Sequence, residues 1–316
     1  MEIFLATFQS IATLLGLGFI GFIIIARRIV PQNISLVLST LAIDIALPLL
    51  VFENIITQFN PEKQSNWWLF PLSWAGFMLA QLVLTRLSVR FSGTKFPREL
   101  GMALFYQNAT FVPLAIITGL WGMDSSMLSY LFLFTLFNAT LLFSTYHLFF
   151  NQQEQKINLR KIVNNVLLAT IVALLLSLTH LQLWIPKFVV AVSRMVGNMA
   201  LPLLMFVLGG SIYIDFKERG KLYWGEILRF FLLKNILFPF VFIGLLWIIK
   251  PAPELSWLIF IESAVPPIIS VSIFTQMCGG NRQIANQYLV ASFLGSLVSI
   301  PFLSWIYSLV LTIPSM

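Results

Sequence analysis

The sequence predicts an all-α polytopic membrane protein. Ten transmembrane helices form two inverted five-helix repeats, and helices four and nine are broken and cross at prolines. Three observations carry this expectation. Of the 316 residues, 59% are hydrophobic and only 10% charged, with a mean hydropathy of +0.90, far less charge than a soluble domain of this length carries. The chain divides into ten apolar stretches, and about 20 apolar residues suffice to cross a bilayer. The motif ALPLL occurs at 46–50 and again at 200–204, 154 positions apart.

The stretches follow in order, each ended by a short polar connector. The first, 3–26, has no basic region before it and no small-residue cleavage site, so it reads as a retained span rather than a signal peptide. The second, 33–57, holds Asp44 and Pro48; the third covers 67–91. The fourth, 99–120, contains QNATFVP (107–113), and the fifth, 126–149, contains Asn138. The sixth covers 160–181, the seventh, 187–213, holds Asn198 and Pro202, and the eighth, 224–249, holds Lys234 and Asn235. The ninth, 255–278, contains ESAVPPII (262–269), and the tenth covers 284–311. The domains expected are 1–150 for the first repeat, 151–161 for a short cytoplasmic connector and 162–316 for the second, inverted repeat.

Connector charge sets the orientation. One set of connectors carries Arg27, Arg28, Arg90, Lys95, Arg98, Lys156, Arg160, Lys161, Lys217, Arg219, Lys221 and Arg282, whereas the other carries only Lys63, Lys187 and Lys250. Basic residues are retained on the cytoplasmic side, so both termini are expected outside a plasma (inner) membrane. Trp67, Trp68, Trp121, Trp184, Trp247, Trp257 and Trp305 then fall at outer ends, where amphipathic rings favour the interface. The net charge of +7 is accounted for by these connectors and implies no nucleic-acid partner. The single cysteine, Cys278, excludes an internal disulfide and any CxxC site. No cofactor is expected.

The repeat aligns the unusual residues. An offset of 154 places Asp44 over Asn198, Asn108 over Glu262 and Pro113 over Pro267. Five spans is an odd number, so the second half enters from the opposite side, as in secondary transporters built from inverted repeats. Proline has no N–H and frees the carbonyl four residues earlier. Pro48 thereby frees the carbonyl of Asp44, Pro202 that of Asn198, Pro113 that of Ala109, Pro266 that of Glu262 and Pro267 that of Ser263. Free backbone groups in hydrocarbon cost several kcal/mol, so broken helices persist only inside protein or beside a wet cavity.

Charges at bilayer depth are costly and mark function. The candidate substrate-binding residues are therefore Asn108, Pro113, Asn138, Glu262, Ser263, Pro266 and Pro267, and the candidates for proton or ion coupling are Asp44, Glu262 and Asn198. Lys234 is deep enough in its span to answer a carboxylate, whereas Glu53, Arg86, Arg194 and Arg229 lie nearer span ends, where snorkelling suffices. Gln107 and Asn235 serve either a substrate or helix association.

Three segments resemble the auxin efflux carrier family and its bacterial relatives of the malate and malonate permease type. SAVPPIISVSIFTQMCGGNRQIANQYLVASFLGSLVSIPF (263–302) is similar to that family's ninth-span break and tenth span, ALPLLMFVLGGSI (200–212) to its seventh span and ALPLLVF (46–52) to its second. The resemblance implies ten spans in two inverted repeats, crossing at Pro113 and Pro267. It also implies Asn108 near the substrate, export or exchange of organic anions, and a homodimer. NATFVP (108–113) lacks the glycine that the family places before this proline, and the short connector fits a bacterial-type member. The reading is a secondary transporter for a small organic anion, a carboxylate first, with a proton or sodium as candidate coupling ion and membrane lipid as its surroundings. The alternatives are a sodium-coupled symporter of the bile-acid or sodium–proton type and a non-transporting receptor or scaffold. No HExxH, GxSxG or GxxxxGK[ST] occurs, so an enzyme is not expected.

Overall fold

The computed structural model describes residues 2–31, 34–62, 64–150, 164–217 and 221–314. The connector 151–161 with its Lys156, Arg160 and Lys161 lies outside the described residues, as do Lys63 and Arg219. Among the described residues all regular elements are helical. Seven are long and apolar enough to cross a membrane: Ile3–Ala26, Val37–Gln58, Leu69–Ser92, Ser126–Phe150, Lys187–Ile214, Trp224–Ile249 and Arg282–Val310. They coincide with seven of the ten expected stretches to within a few residues. The other three stretches are also helical but shorter or interrupted.

The helices in chain order are α1 (Glu2–Ala26), α2 (Ile34–Thr40), α3 (Leu47–Gln58), α4 (Leu69–Ser92), α5 (Pro97–Phe105), α6 (Phe111–Trp121), α7 (Ser126–Phe134) and α8 (Asn138–Thr145). After the connector come α9 (Asn165–Leu178), α10 (Lys187–Gly197), α11 (Ala200–Lys217), α12 (Trp224–Phe231), α13 (Phe238–Ile249), α14 (Pro253–Ala264), α15 (Val271–Met277) and α16 (Arg282–Val310). Local chemistry sets several boundaries. Ser125, Asn164 and Asn281 accept the backbone N–H of Met127, Leu167 and Ile284 at 3.1, 2.9 and 3.2 Å, satisfying donors that a helix start leaves orphaned. Helix α4 ends at Gly93, whose φ of +61° is a left-handed conformation that glycine adopts at no steric cost.

Two prolines follow wide turns rather than breaks. A π-helical segment, Leu41–Ala46, joins α2 to α3 just before Pro48, and another, Leu232–Leu237, joins α12 to α13 just before Pro239. In each the hydrogen bond reaches back five residues, from Leu47 to Ala42 and from Phe238 to Leu233. The longer register accommodates a ring that would otherwise collide with the carbonyl four residues earlier. The carbonyl of Asp44 accepts from the Asn165 side-chain amide at 3.0 Å, so the group freed by Pro48 is satisfied from α9.

Packing divides the helices into two groups. In one, α1 lies along α11, α9 and α10 lie on α3, and α2 meets α11. A methyl group on Gly209 would overlap the Gly18 carbonyl and the Phe22 amide, so α1 and α11 approach backbone to backbone. In the other, α4 packs on α5 and α7, α13 on α14, and α12 and α15 on α16. The groups meet where α1 touches α6 and α16 and where α3 touches α7.

Two expectations about side chains change. Trp257 is fully buried and packs edge-on against Trp121 and Tyr307, at ring separations of 5.7 and 5.2 Å, so it is a core residue rather than an interface anchor. Glu53 and Arg194 do not snorkel apart. Arg194 binds the buried Glu53 carboxylate at 2.7 Å and Asp124 at 3.0 Å, tying α10 to α3.

Candidate functional site

Helices α5 and α6 lie on either side of residues 106–110, and α14 and α15 on either side of 265–270. The two interruptions meet. The Asn108 N–H donates to the Pro266 carbonyl at 2.8 Å, and the Ile268 N–H donates to the Tyr106 carbonyl at 2.9 Å. Gln107 and Pro267 thus face each other as an antiparallel bridge pair. Each broken strand of backbone supplies hydrogen bonds that the other has lost, which is the condition for non-helical backbone to persist at depth. The end of α5 is further satisfied by Gln81 on α4, whose amide donates to the Leu104 carbonyl at 2.8 Å.

Polar side chains converge on this crossing. Glu262 and Ser263 lie in the last turn of α14 and are fully buried; Gln107 and Asn108 are 1% and 2% exposed. The Gln107 amide donates to Glu262 Oε2 at 3.4 Å. Asn108 Oδ1 accepts from the Phe111 N–H at 3.1 Å and so caps the start of α6. Lys234, in the π segment before α13, is also fully buried. Its amine donates to the Ser263 carbonyl at 3.4 Å, the group that Pro267 frees, and forms no ion pair within 4 Å among the described residues. Three buried polar atoms here lack a hydrogen-bond partner: Asn108 Nδ2, Gln107 Oε1 and Glu262 Oε1. Leaving such a group unpaired costs about 1–3 kcal/mol, so the crossing presents one donor and two acceptors that a polar ligand or water would satisfy.

The structure brings together Asn108, Glu262, Ser263, Pro266 and Pro267. Pro113 lies one turn beyond the crossing, third in α6, where a missing N–H breaks no helical bond. Asn108 is in the interruption whereas Glu262 is still helical, so the ALPLL offset does not superpose the two breaks. Asn138 begins α8 at an interruption of the fifth stretch and is half-buried. Asp44 and Asn198 are exposed, on the π segment before α3 and at the end of α10. Asn235 ties helices together, donating to the Ser292 carbonyl and Ser299 Oγ at 3.2 Å each and accepting from Ser292 Oγ at 2.7 Å. Gln81 gave no sequence signal beyond being a polar residue in an apolar stretch.

Two broken helices are stitched together by backbone, with the buried side chains of Glu262, Lys234, Gln107 and Asn108 at the stitch, inside a bundle of helices apolar enough to cross a membrane. A family model described as membrane transport protein matches residues 6–164 and 154–304. The chain belongs to this family of membrane transporters, which includes the auxin efflux carriers. No curated protein matches it.

Proposed function

We propose that the protein is a secondary carrier for a small organic anion, first a carboxylate, bound where the two broken helices cross. The observation that carries this reading is the crossing itself: hydrogen-bonded backbone at 106–108 and 266–268 beside a buried Glu262, Lys234 and Gln107. The start of α6 gives the positive end of a helix dipole, and the unpaired Asn108 amide gives a directed donor. Both favour a carboxylate. Lys234, buried in the same place with its amine on the Ser263 carbonyl, offers donors where sodium would need oxygen ligands, which favours the anion reading over the sodium-coupled alternative.

In this reading the ten helical stretches are ten spans in two inverted five-helix repeats, with both termini outside the plasma membrane. The group containing α4, α5, α14 and α16 carries the site, and the group of α1, α3, α9 and α11 is the frame against which it rocks to alternate access. Export or exchange is the direction that the family resemblance implies.

The test is uptake of labelled malate, malonate and indole acetate into proteoliposomes under separate pH, sodium and potential gradients. Saturable uptake of one anion, weakened about tenfold or more in Asn108→Ala and lost or uncoupled in Glu262→Gln, is expected, since one directed hydrogen bond to a charged group contributes about that much. Absence of flux for every anion under every gradient would refute the carrier reading. Flux indifferent to both substitutions would move the site elsewhere.

A further inference from the structure

A second feature adjoins the crossing at Tyr106. Helices α4, α5 and α8, with the short 3-10 turn Tyr146–Phe150, border an open cavity of about 490 Å³. Three exposed arginines line it, Arg86, Arg90 and Arg98, together with Thr85, Tyr106 and an apolar wall that includes Phe149. Among the described residues none of the three guanidiniums forms an ion pair. The nearby carboxylates are engaged elsewhere: Glu99 accepts from the Asn281 N–H at 2.7 Å, and Glu226 binds Arg229 at 2.7 Å and Thr94 at 2.6 Å.

A second observation points to a ligand. Thr85 is 1% exposed and its hydroxyl has no hydrogen-bond partner, yet it lines this cavity. At 1.5 Å per residue, Arg90 lies about 3 Å and Arg86 about 9 Å from the end of α4, a span that covers the headgroup and glycerol levels of one leaflet. The mouth also borders an apolar surface. Val83, Leu87 and Phe91 are 58%, 49% and 77% exposed and recur every four residues on α4, each next to or near an arginine of the cavity. Such a stripe meets acyl chains. Three unpaired guanidiniums, a buried unpaired hydroxyl and an apolar wall opening beside a lipid-facing stripe match an anion that carries its own hydrocarbon.

We propose that this cavity is a binding site for an anionic phospholipid, with its phosphate on Arg86, Arg90 and Arg98, its glycerol region at Thr85 and the first methylenes of an acyl chain on the apolar wall. Guanidinium suits phosphate because its planar donors pair with two oxygens at once. The leaflet is the one that the basic connectors mark as cytoplasmic. The site adjoins the crossing through Tyr106 but shares none of the residues proposed to bind the transported anion.

The test uses the purified full chain in detergent, titrated with fluorescent phosphatidylglycerol and, in parallel, phosphatidylcholine. Wild type is expected to prefer phosphatidylglycerol by about tenfold or more, the order expected for two or three arginines near a charged headgroup. The double variant Arg86→Gln/Arg90→Gln, which keeps only Arg98, should reduce the preference to about fivefold or less. Thr85→Val should weaken phosphatidylglycerol alone, and Arg27→Gln/Arg28→Gln, which removes an equal charge elsewhere, should leave the preference intact. Size-exclusion profiles establish that each variant is folded; if the double arginine variant is not, Thr85→Val and the Arg27/Arg28 control decide. Equal binding of the two lipids by wild type would overturn the proposal. So would a preference lowered equally by removing Arg27 and Arg28, which would mean diffuse surface charge. Displacement of the lipid by millimolar malate or malonate would overturn it in favour of a free organic anion.

Discussion

Replacing Lys234 by methionine tests the polar network of the crossing. Lys234 and Glu262 are both fully buried, no ion pair within 4 Å joins them, and the Lys234 amine satisfies the Ser263 carbonyl beside Glu262. Lys234→Met therefore removes the donor to a carbonyl that Pro267 has freed, a loss of about 1–3 kcal/mol. Residues that share one polar network couple by about 0.5–3 kcal/mol, so the loss in Lys234→Met/Glu262→Gln should depart from the sum of the two single losses by more than the ~0.5 kcal/mol scatter of independent sites. The assay is unfolding in mixed micelles followed by tryptophan fluorescence, for which the buried Trp257 is a suitable reporter. Single losses that add in the double variant would show that the two side chains are not coupled, and the reading of Lys234 as part of the site would fall.

Three other perturbations address the frame and the crossing. Gln107→Cys/Pro267→Cys, with Cys278→Ser, should oxidise to a disulfide, because the positions face each other in the bridge and facing residues lie about 5 Å apart; with a protease site placed in 151–161, oxidised halves should migrate together after cleavage, and separation would contradict the crossing. Gly209→Leu should destabilise the protein by about 1–3 kcal/mol or more through overpacking against the Gly18 carbonyl, whereas Gly76→Leu, where nothing lies within 4 Å, should be near neutral in the same unfolding assay. Gln81→Leu should cost about 1–3 kcal/mol by stripping the Leu104 carbonyl of its donor; a neutral result would mean that α5 does not depend on this cap.

Seven long stretches were legible because hydropathy over twenty residues averages out local detail. The stretch at 255–278 was legible as interrupted because Pro266, Pro267 and Glu262 are expensive in an apolar helix, and the one at 99–120 because the repeat and the resemblance set Pro113 opposite Pro267. The register between the two was not. A shared pentapeptide fixes only the helices that contain it, and the structure places Asn108 in the interruption but Glu262 a turn before one. Trp257 was misread for a related reason. A tryptophan near a span end has the same sequence signal whether it faces lipid or, as here, Tyr307 and Phe260 at 5.2 and 5.3 Å. Lys234 had a signal in its depth, but the carbonyl it answers on α14 is 29 residues away and only tertiary packing joins them.

The prolines show why equal sequence signals give unequal sites. Pro48 and Pro267 each free one carbonyl, and both carbonyls find a side-chain donor from another stretch. At Pro48 the donor to Asp44 is an exposed neutral amide, Asn165. The helix stays continuous through a π turn, and nothing about that bond changes with a ligand. At Pro267 the donor to Ser263 is a buried amine. Beside it, Glu262 keeps one buried oxygen without a hydrogen-bond partner, as do Gln107 Oε1 and Asn108 Nδ2. The fault at Pro267 therefore sits among buried polar atoms still open to a partner, whereas the carbonyl freed by Pro48 is answered by an exposed amide. The surroundings of the freed carbonyl, more than the proline itself, separate a bend in a membrane helix from the crossing proposed above as the binding site.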